Sequence, residues 1–316
     1  MKKTAVLMLS LISAAAALAQ ESQTEYDFLR LPVSAHAAAL GGDNVSLTDD
    51  DLSLTTGNPA LLDNVSDKTL FLSYMNYMQG VNMGAAAFNK TYSDNLTFAG
   101  SIEFINYGSM KQTDENNVQT GTFSASDFAV AAHMAGRLAR NVSGGLTARF
   151  IYSHLGSYNS MGACADLGIT YINDDKGFSA GAAVRNLGGQ IKAYDDNFEK
   201  MPLDIQVGVT KQFEHMPLRV SLTFADLNHW DYSFINHAVV GADLLLNNGI
   251  WIGAGYNLRR AHDMKIADDA DSKGSSHGAG LSLGAGISLQ RFSLDLSWSK
   301  YHVSSNSLML NLAYTL

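Results

Sequence analysis

The chain has 316 residues, enough for one large domain or two small ones. Its formal net charge of −9 argues against nucleic acid as a partner, and its single cysteine, Cys164, excludes an internal disulfide. Only 16% of the residues are charged, and 28 glycines against four prolines suit a strand-rich chain with small residues along one face.

Residues 1–19 read as a secretory signal. Lys2 and Lys3 form the positive n-region, Ala5 to Ala16 the apolar stretch, and Ala17-Leu18-Ala19 a small-x-small cleavage site. Cleavage there removes two lysines and leaves a net charge of −11. Beyond it no apolar run is long enough for a transmembrane helix. Residues 20–66 do not alternate. Small residues dominate Ala35 to Gly42, and the acidic run Asp49-Asp50-Asp51 precedes Leu52 to Leu62. Pro59 fits the first turn of a short helix with Asn58 as its N-cap, so Asn58, Pro59 and Ala60 form the motif of this segment. A Gly/Ala-rich stretch of this kind ahead of the first strand fits a hatch tucked into a barrel.

Residues 67–316 alternate apolar and polar side chains in segments separated by turn residues. Strands are expected at about Thr69–Met78, Val81–Thr91, Leu96–Tyr107, Asp127–Leu138, Val142–Leu155, Ser160–Ile172, Phe178–Leu187, Asp204–Phe213, Leu218–Leu227, Ile235–Leu246, Ile250–Arg259, Ala279–Leu289, Phe292–His302 and Ser307–Leu316. The fold class is therefore all-β: a fourteen-stranded antiparallel transmembrane β-barrel with a small N-terminal hatch. The connections sort the same way. Ser93-Asp94, Arg140-Asn141, Asp174-Asp175, Glu214-His215, Asn247-Asn248 and Gln290-Arg291 are tight turns on one side. The long connections Gly108–Ser126, Gly188–Leu203 and Arg260–Gly278 all fall on the other, which is expected to face the cell exterior.

Apolar rows such as Ala279, Leu281, Leu283, Ala285, Ile287 and Leu289 are expected to face lipid. Tyr74, Tyr107, Tyr152, Tyr171, Tyr256, Trp298 and Tyr314 sit near strand ends, where aromatic girdles lie. The opposite rows carry glycine, serine and charges of both signs. Glu103, Asp127, Arg137, Arg149, Asp166, Arg185, Arg219, Asp243, Arg259 and Asp295 are expected in the lumen, pairing across it and holding the hatch, or lining a polar pore. Nothing points to chemistry. The nine histidines show no His-x-x-x-His spacing, and there is no Gly-x-Ser-x-Gly elbow. No catalytic, metal or cofactor-binding residue is assigned. Asp263, Asp268, Asp269 and Asp271 beside His262 and His277 read as a solvated acidic loop.

The segment Tyr26–Gly42 (Tyr-Asp-Phe-Leu-Arg-Leu-Pro-Val-Ser-Ala-His-Ala-Ala-Ala-Leu-Gly-Gly), the Asp49–Asp51 run and Gly57-Asn58-Pro59-Ala60-Leu61-Leu62 together resemble the N-terminal signature of the PorQ/PorV-like barrels. These are outer-membrane proteins of the Bacteroidetes type IX secretion system, similar in turn to the fatty-acid-transporter barrels, and the short outside loops are closest to the PorQ type. The resemblance implies a non-enzymatic subunit of type IX protein secretion that anchors and positions a cell-surface cargo-attachment complex. Its implied partners are a sortase-like protease, accessory periplasmic and surface subunits, and outer-membrane lipid. The alternative implied by the wider barrel group is an outer-membrane transporter for hydrophobic or amphipathic small molecules.

Overall fold

In the computed structural model fourteen strands close into one antiparallel barrel; residues 24–78, 80–231, 233–246, 249–265 and 275–316 are described. The expected signal segment and the acidic residues Asp268, Asp269 and Asp271 lie outside the described residues. The strands are β1 (Thr69–Met78), β2 (Val81–Ser93), β3 (Leu96–Thr113), β4 (Gln119–Ala139), β5 (Val142–Leu155), β6 (Tyr158–Asn173), β7 (Phe178–Lys192), β8 (Asp204–Gln212), β9 (Leu218–Phe224), β10 (Ala238–Leu246), β11 (Ile250–Asn257), β12 (Leu281–Ser288), β13 (Phe292–His302) and β14 (Ser305–Thr315). Each pairs with its neighbours in sequence. β1 also pairs with β14, from Thr69 opposite Thr315 to Asn76 opposite Leu308, so no edge is left open.

The alternation decides which face is which. On β4, Asp127, Ala129, Ala131, His133 and Ala135 are buried, while Phe128, Val130 and Met134 between them are exposed. A ring of such strands puts large apolar side chains outward all round, where only hydrocarbon solvates them without cost. No helix of the described residues is long and apolar enough to cross a membrane.

The wall is uneven. β3 and β4 run 18 and 21 residues, whereas β8 to β12 have seven to nine each. Much of the expected loop Gly108–Ser126 is in fact a two-stranded ribbon, paired from Ser109 opposite Ser124 to Thr113 opposite Gln119. Both its faces are solvated, so no apolar row marks it in the sequence. Tyr107, expected in the outer girdle, instead continues the inward row of Ser101, Glu103 and Ile105, and its hydroxyl donates to Asp127 Oδ2 at 2.6 Å; the ladder shifts register just beyond, between Asn106 and Ser109. Ala279, expected on the lipid face, is buried. Gly278 and Gly280 on either side have φ of 82° and 94°, so the chain is still turning there and β12 starts at Leu281.

The hatch fills the lumen. It has one short α-helix, α1 (Ala35–Ala39), capped by Ser34, and short 3-10 helices at Asp27–Arg30, Leu52–Thr56 and Pro59–Asn64. A second short helix, α2 (Leu258–Asp263), follows β11. The hatch starts at the mouth bearing the long connections, where Glu25 N–H donates to Lys200 O at 3.0 Å. It descends past mid-barrel and leaves at the opposite rim, where Ser143 Oγ donates to Asp63 Oδ2 at 2.6 Å, a few residues before β1.

Candidate functional site: the hatch and its seat

The seat is made of glycines. A side chain at Gly145 would overlap Pro59 and Ala60, and one at Gly168 would strike Asn58 Oδ1 and come within 2.9 Å of Pro59 Cδ. At Gly181 it would meet the Val45 carbonyl, at Gly241 it would lie 2.7 Å from Leu40 Cβ, and at Gly255 it would overlap the Leu40–Gly41 peptide. These residues lie on β5, β6, β7, β10 and β11. The hatch backbone therefore rests directly on the barrel wall, which only glycine permits.

Asn58 does the local work of the Asn58-Pro59-Ala60 motif. Its Oδ1 accepts from Ala60 N–H at 3.1 Å, as an N-cap does. Its Nδ2 donates to Val45 O at 2.8 Å and Thr170 Oγ1 at 3.0 Å, joining two parts of the hatch to β6. Asn58→Ala removes cap and donors together and is expected to destabilise the seated hatch by about 1–3 kcal/mol. Asn58→Asp keeps the cap acceptor and should fall between. Limited proteolysis of the hatch in urea, with the barrel still folded, reads the difference; equal cleavage in all three proteins would contradict it.

Toward the turn-side end of β9 and β10, four charged groups meet. Arg219 on β9 lies opposite Asp243 on β10, with Nε to Oδ1 at 3.0 Å and Nη2 to Oδ2 at 2.5 Å. The other side of the same guanidinium grips Asp49 of the hatch, Nη1 to Oδ1 at 2.5 Å and Nη2 to Oδ2 at 2.9 Å. His36 of α1 completes the group, 2.8 Å from Asp243 and 3.2 Å from Asp49. Its ring lies flat on Trp251 at 3.7 Å. Burial disfavours the His36 charge, but hydrogen bonds to Asp243 and Asp49 outweigh it and hold the imidazole at about 9. Burial likewise disfavours charge on Asp49, and Arg219 overcomes it, keeping the carboxyl far below the usual range. Two cations and two anions thus balance, two from the hatch and two from the wall, with Arg219, Asp243 and His36 buried and Asp49 partly open to solvent.

The other charges expected in the lumen divide by depth. Arg149 sits 3.2 Å from Asp166 and 3.9 Å from Glu103, within the wall itself. Arg185 Nη2 donates to the hatch carbonyl of Leu29 at 2.9 Å. Asp127 accepts from Tyr107 and Ser153 hydroxyls, and Asp295 accepts from Trp251 Nε1 at 2.8 Å. Two positions differ from the expectation. Arg137 reaches the turn-side rim, half-exposed, 3.7 Å from Asp63, because β4 is already leaving the membrane there. Arg259 belongs to α2, not to a strand, and pairs with Asp226 beside an outer chamber of about 590 Å³ that Arg30, Asp43, Asp204 and His229 also line. Sequence reasoning left out His36, Asp49, Arg30, Asp226 and Asn311, whose side chain holds Val33 O at 3.0 Å. Asp49 stands in a visible acidic run and Asn311 in a polar row, but their partners lie 170 and 278 residues away, so spacing gives no signal of the pairing.

Higher in the wall the backbone ladder is interrupted, and side-chain hydrogen bonds replace it, Asn186 Nδ2 to Pro202 O at 3.0 Å and Glu199 N–H to Gln190 Oε1 at 2.7 Å. The β7–β8 ladder ends at Arg185 opposite Asp204. Asn186 then takes φ 59°, the β6–β7 register shifts between Ala165 and Leu167, and the rest of β7 pairs with β6 alone. Beside this notch is a cavity of about 230 Å³ lined by Leu187, Gly189, Met201 and Leu203, with Lys200 and His229 among its polar groups.

No protein-family model and no curated protein matches the chain. Among solved structures it is similar to the Pseudomonas putida toluene transporter TodX, at TM-score 0.56 and 15% identity, covering 90% of this chain and 97% of that one. It is also similar to a Pseudomonas aeruginosa FadL homologue, at TM-score 0.54 and 11% identity over 89% and 98% of the two chains. The monoaromatic hydrocarbon channel CymD gives TM-score 0.52 and 11% identity over 89% and 95%. At these identities the likeness is one of fold. The chain thus shares with these structures a closed fourteen-strand antiparallel barrel, here with an apolar outer belt.

Proposed function

We propose that this barrel passes small hydrophobic or amphipathic molecules across the outer membrane and admits them through its wall. The observation that carries the reading is the notch above Arg185 and Asp204, where the sheet is interrupted beside a mixed apolar and polar cavity. The toluene transporter and the hydrocarbon channel among the solved neighbours support it. The lumen axis is a poor path for such molecules, since the hatch and its ion pairs occupy it. Leu187, Met201 and Leu203 suit an apolar body, and Lys200 and His229 a polar end.

Gly189 offers a clean test, because an added Cβ there meets nothing within 4 Å. Gly189→Trp fills the cavity without disturbing the backbone. In vesicles, the wild-type protein is expected to speed uptake of small aromatic and short-chain amphipathic solutes, and Gly189→Trp to abolish that gain. Wild-type vesicles no more permeable than protein-free ones would remove the transport reading.

A second reading is the anchor subunit of type IX secretion that the hatch signature implies. The specific observation in its favour is a hatch bolted to the wall on several sides, with a paired β3–β4 ribbon rising beyond the barrel that offers soluble partners a surface. On that reading Gly189→Trp is neutral, a ribbon cut back to Asn106 and Ser126 loses partners on co-purification, and deleting the gene leaves secreted cargo unprocessed.

A further inference from the structure

We infer that the β9–β10 connection is a membrane-dipping element: its exposed apolar side chains lie in the outer leaflet and complete the lipid belt where the wall is too low. β9 has seven residues. At about 3.3 Å per residue and about 40° of tilt it covers roughly 17 Å, short of the roughly 25 Å apolar band of such barrels. Leu218, Val220, Leu222 and Phe224 are its lipid-facing row, since Arg219, Ser221 and Thr223 between them are buried inside. The last of that row, Phe224, stacks on Phe234 of the connection with ring centroids 4.9 Å apart. The connection therefore folds back on the outer side of the wall, continuous with the apolar belt.

Its side chains fit that position. Phe234 is 59% exposed, Ile235 61% and Trp230 68%, which water would not favour for three large apolar groups on one short segment. The inner edge is polar and fixed. Asp226 takes Arg30 of the hatch at 2.6 Å and Arg259 of α2, and Ala225 N–H donates to His237 O at 2.9 Å. A segment pinned by ions on its lumen side, with Phe234 on the outer side and Trp230 and Ile235 exposed beside it, matches the headgroup boundary, where amphipathic aromatic rings partition. The occupant is membrane lipid, because the patch continues a surface already in contact with it.

Tryptophan quenching tests this directly. The chain has three tryptophans: Trp251 is buried in the lumen, Trp298 faces lipid on β13, and Trp230 is the probe. The Trp298→Phe protein is reconstituted in phosphatidylcholine vesicles, with acyl chains either plain or brominated near the headgroup end. The Trp298→Phe/Trp230→Phe protein supplies the Trp251 background. After subtraction, Trp230 emission is expected to be largely lost in brominated vesicles and to resist aqueous iodide. Quenching by iodide and not by bromolipid would place the segment in water and overturn the inference. Resistance to both would place it under protein, such as a second copy of the chain, and would overturn it equally. Phe234→Ser/Ile235→Ser in the Trp298→Phe background gives a second readout, with bromolipid quenching of Trp230 falling and iodide quenching rising as the segment lifts.

Discussion

Replacing Arg219 with leucine is expected to unseat the hatch and turn a closed barrel into a conducting one. The guanidinium is the only group touching both Asp49 of the hatch and Asp243 of the wall with paired hydrogen bonds among the described residues. Without it two carboxylates face one imidazolium, and Asp243 is left buried without its strongest partner. Removing one partner of a buried ionic group typically costs about 3–5 kcal/mol, most of it the desolvation of the charge left behind. Arg219→Leu combined with Asp243→Leu should cost less than Arg219→Leu alone, because no orphan remains on the wall. Single-channel recordings in planar bilayers check this: silence for the wild type, frequent openings for Arg219→Leu, and few for the double variant. An Arg219→Leu barrel as silent as the parent would show that the cluster does not hold the hatch. The same cluster sets a pH window. His36 is raised from its ordinary 6.5 to about 9, so its contribution is complete below 6.5 and disappears as pH climbs through 9. Openings of the wild type should therefore become more frequent on the alkaline side.

Gly255→Val is expected to have an effect at least as large, by sterics instead of charge. A Cβ at Gly255 would overlap the peptide joining Leu40 to Gly41, and neither backbone can yield, since one is in the β10–β11–β12 ladder and the other follows α1. Overpacking against flexible side chains costs about 1–3 kcal/mol. Here no side chain can move aside, so the hatch must lift along its length. Gly84→Ala is the matched control, because its nearest contact would be Ser73 O at an ordinary 3.7 Å. Conductance and hatch proteolysis should change in Gly255→Val and stay at parental values in Gly84→Ala. A valine variant that keeps the lumen shut would mean the hatch is not seated on the glycines as described.

The barrel was legible in the sequence because its physics is local. Lipid outside and a small polar interior impose a period of two on every strand, and turn residues mark the ends: β1, β5 and β13 have the bounds read from the alternation. Legibility failed where that contrast stops. The ribbon beyond Tyr107 is wet on both sides, and the bulge at Asn106 reverses the rhythm. At the site, the Asn58 cap was readable because an N-cap is written within three residues. The His36–Asp49–Arg219–Asp243 group was not, since it joins residues whose meeting depends on the finished cylinder. Arg219 and Asp243 could be placed facing inward, but their opposition across one rung could not be read from either alone. Glycine on the inward rows was visible as spare room, yet what fills that room comes from a segment with no periodicity.

The way β1 meets β14 has a consequence for biogenesis. Ala35 and Val33 of the hatch are tied to Asn311 near the far end of the chain, and β14 completes the circle against the strand that follows the hatch. A hatch that occupies the full height of a sealed tube cannot be threaded in afterwards without breaking its ionic clasp. With its contacts spread over both ends of the chain, the hatch is expected to seat against the still-open sheet as the first and last strands zip together, so that plug maturation and wall closure coincide.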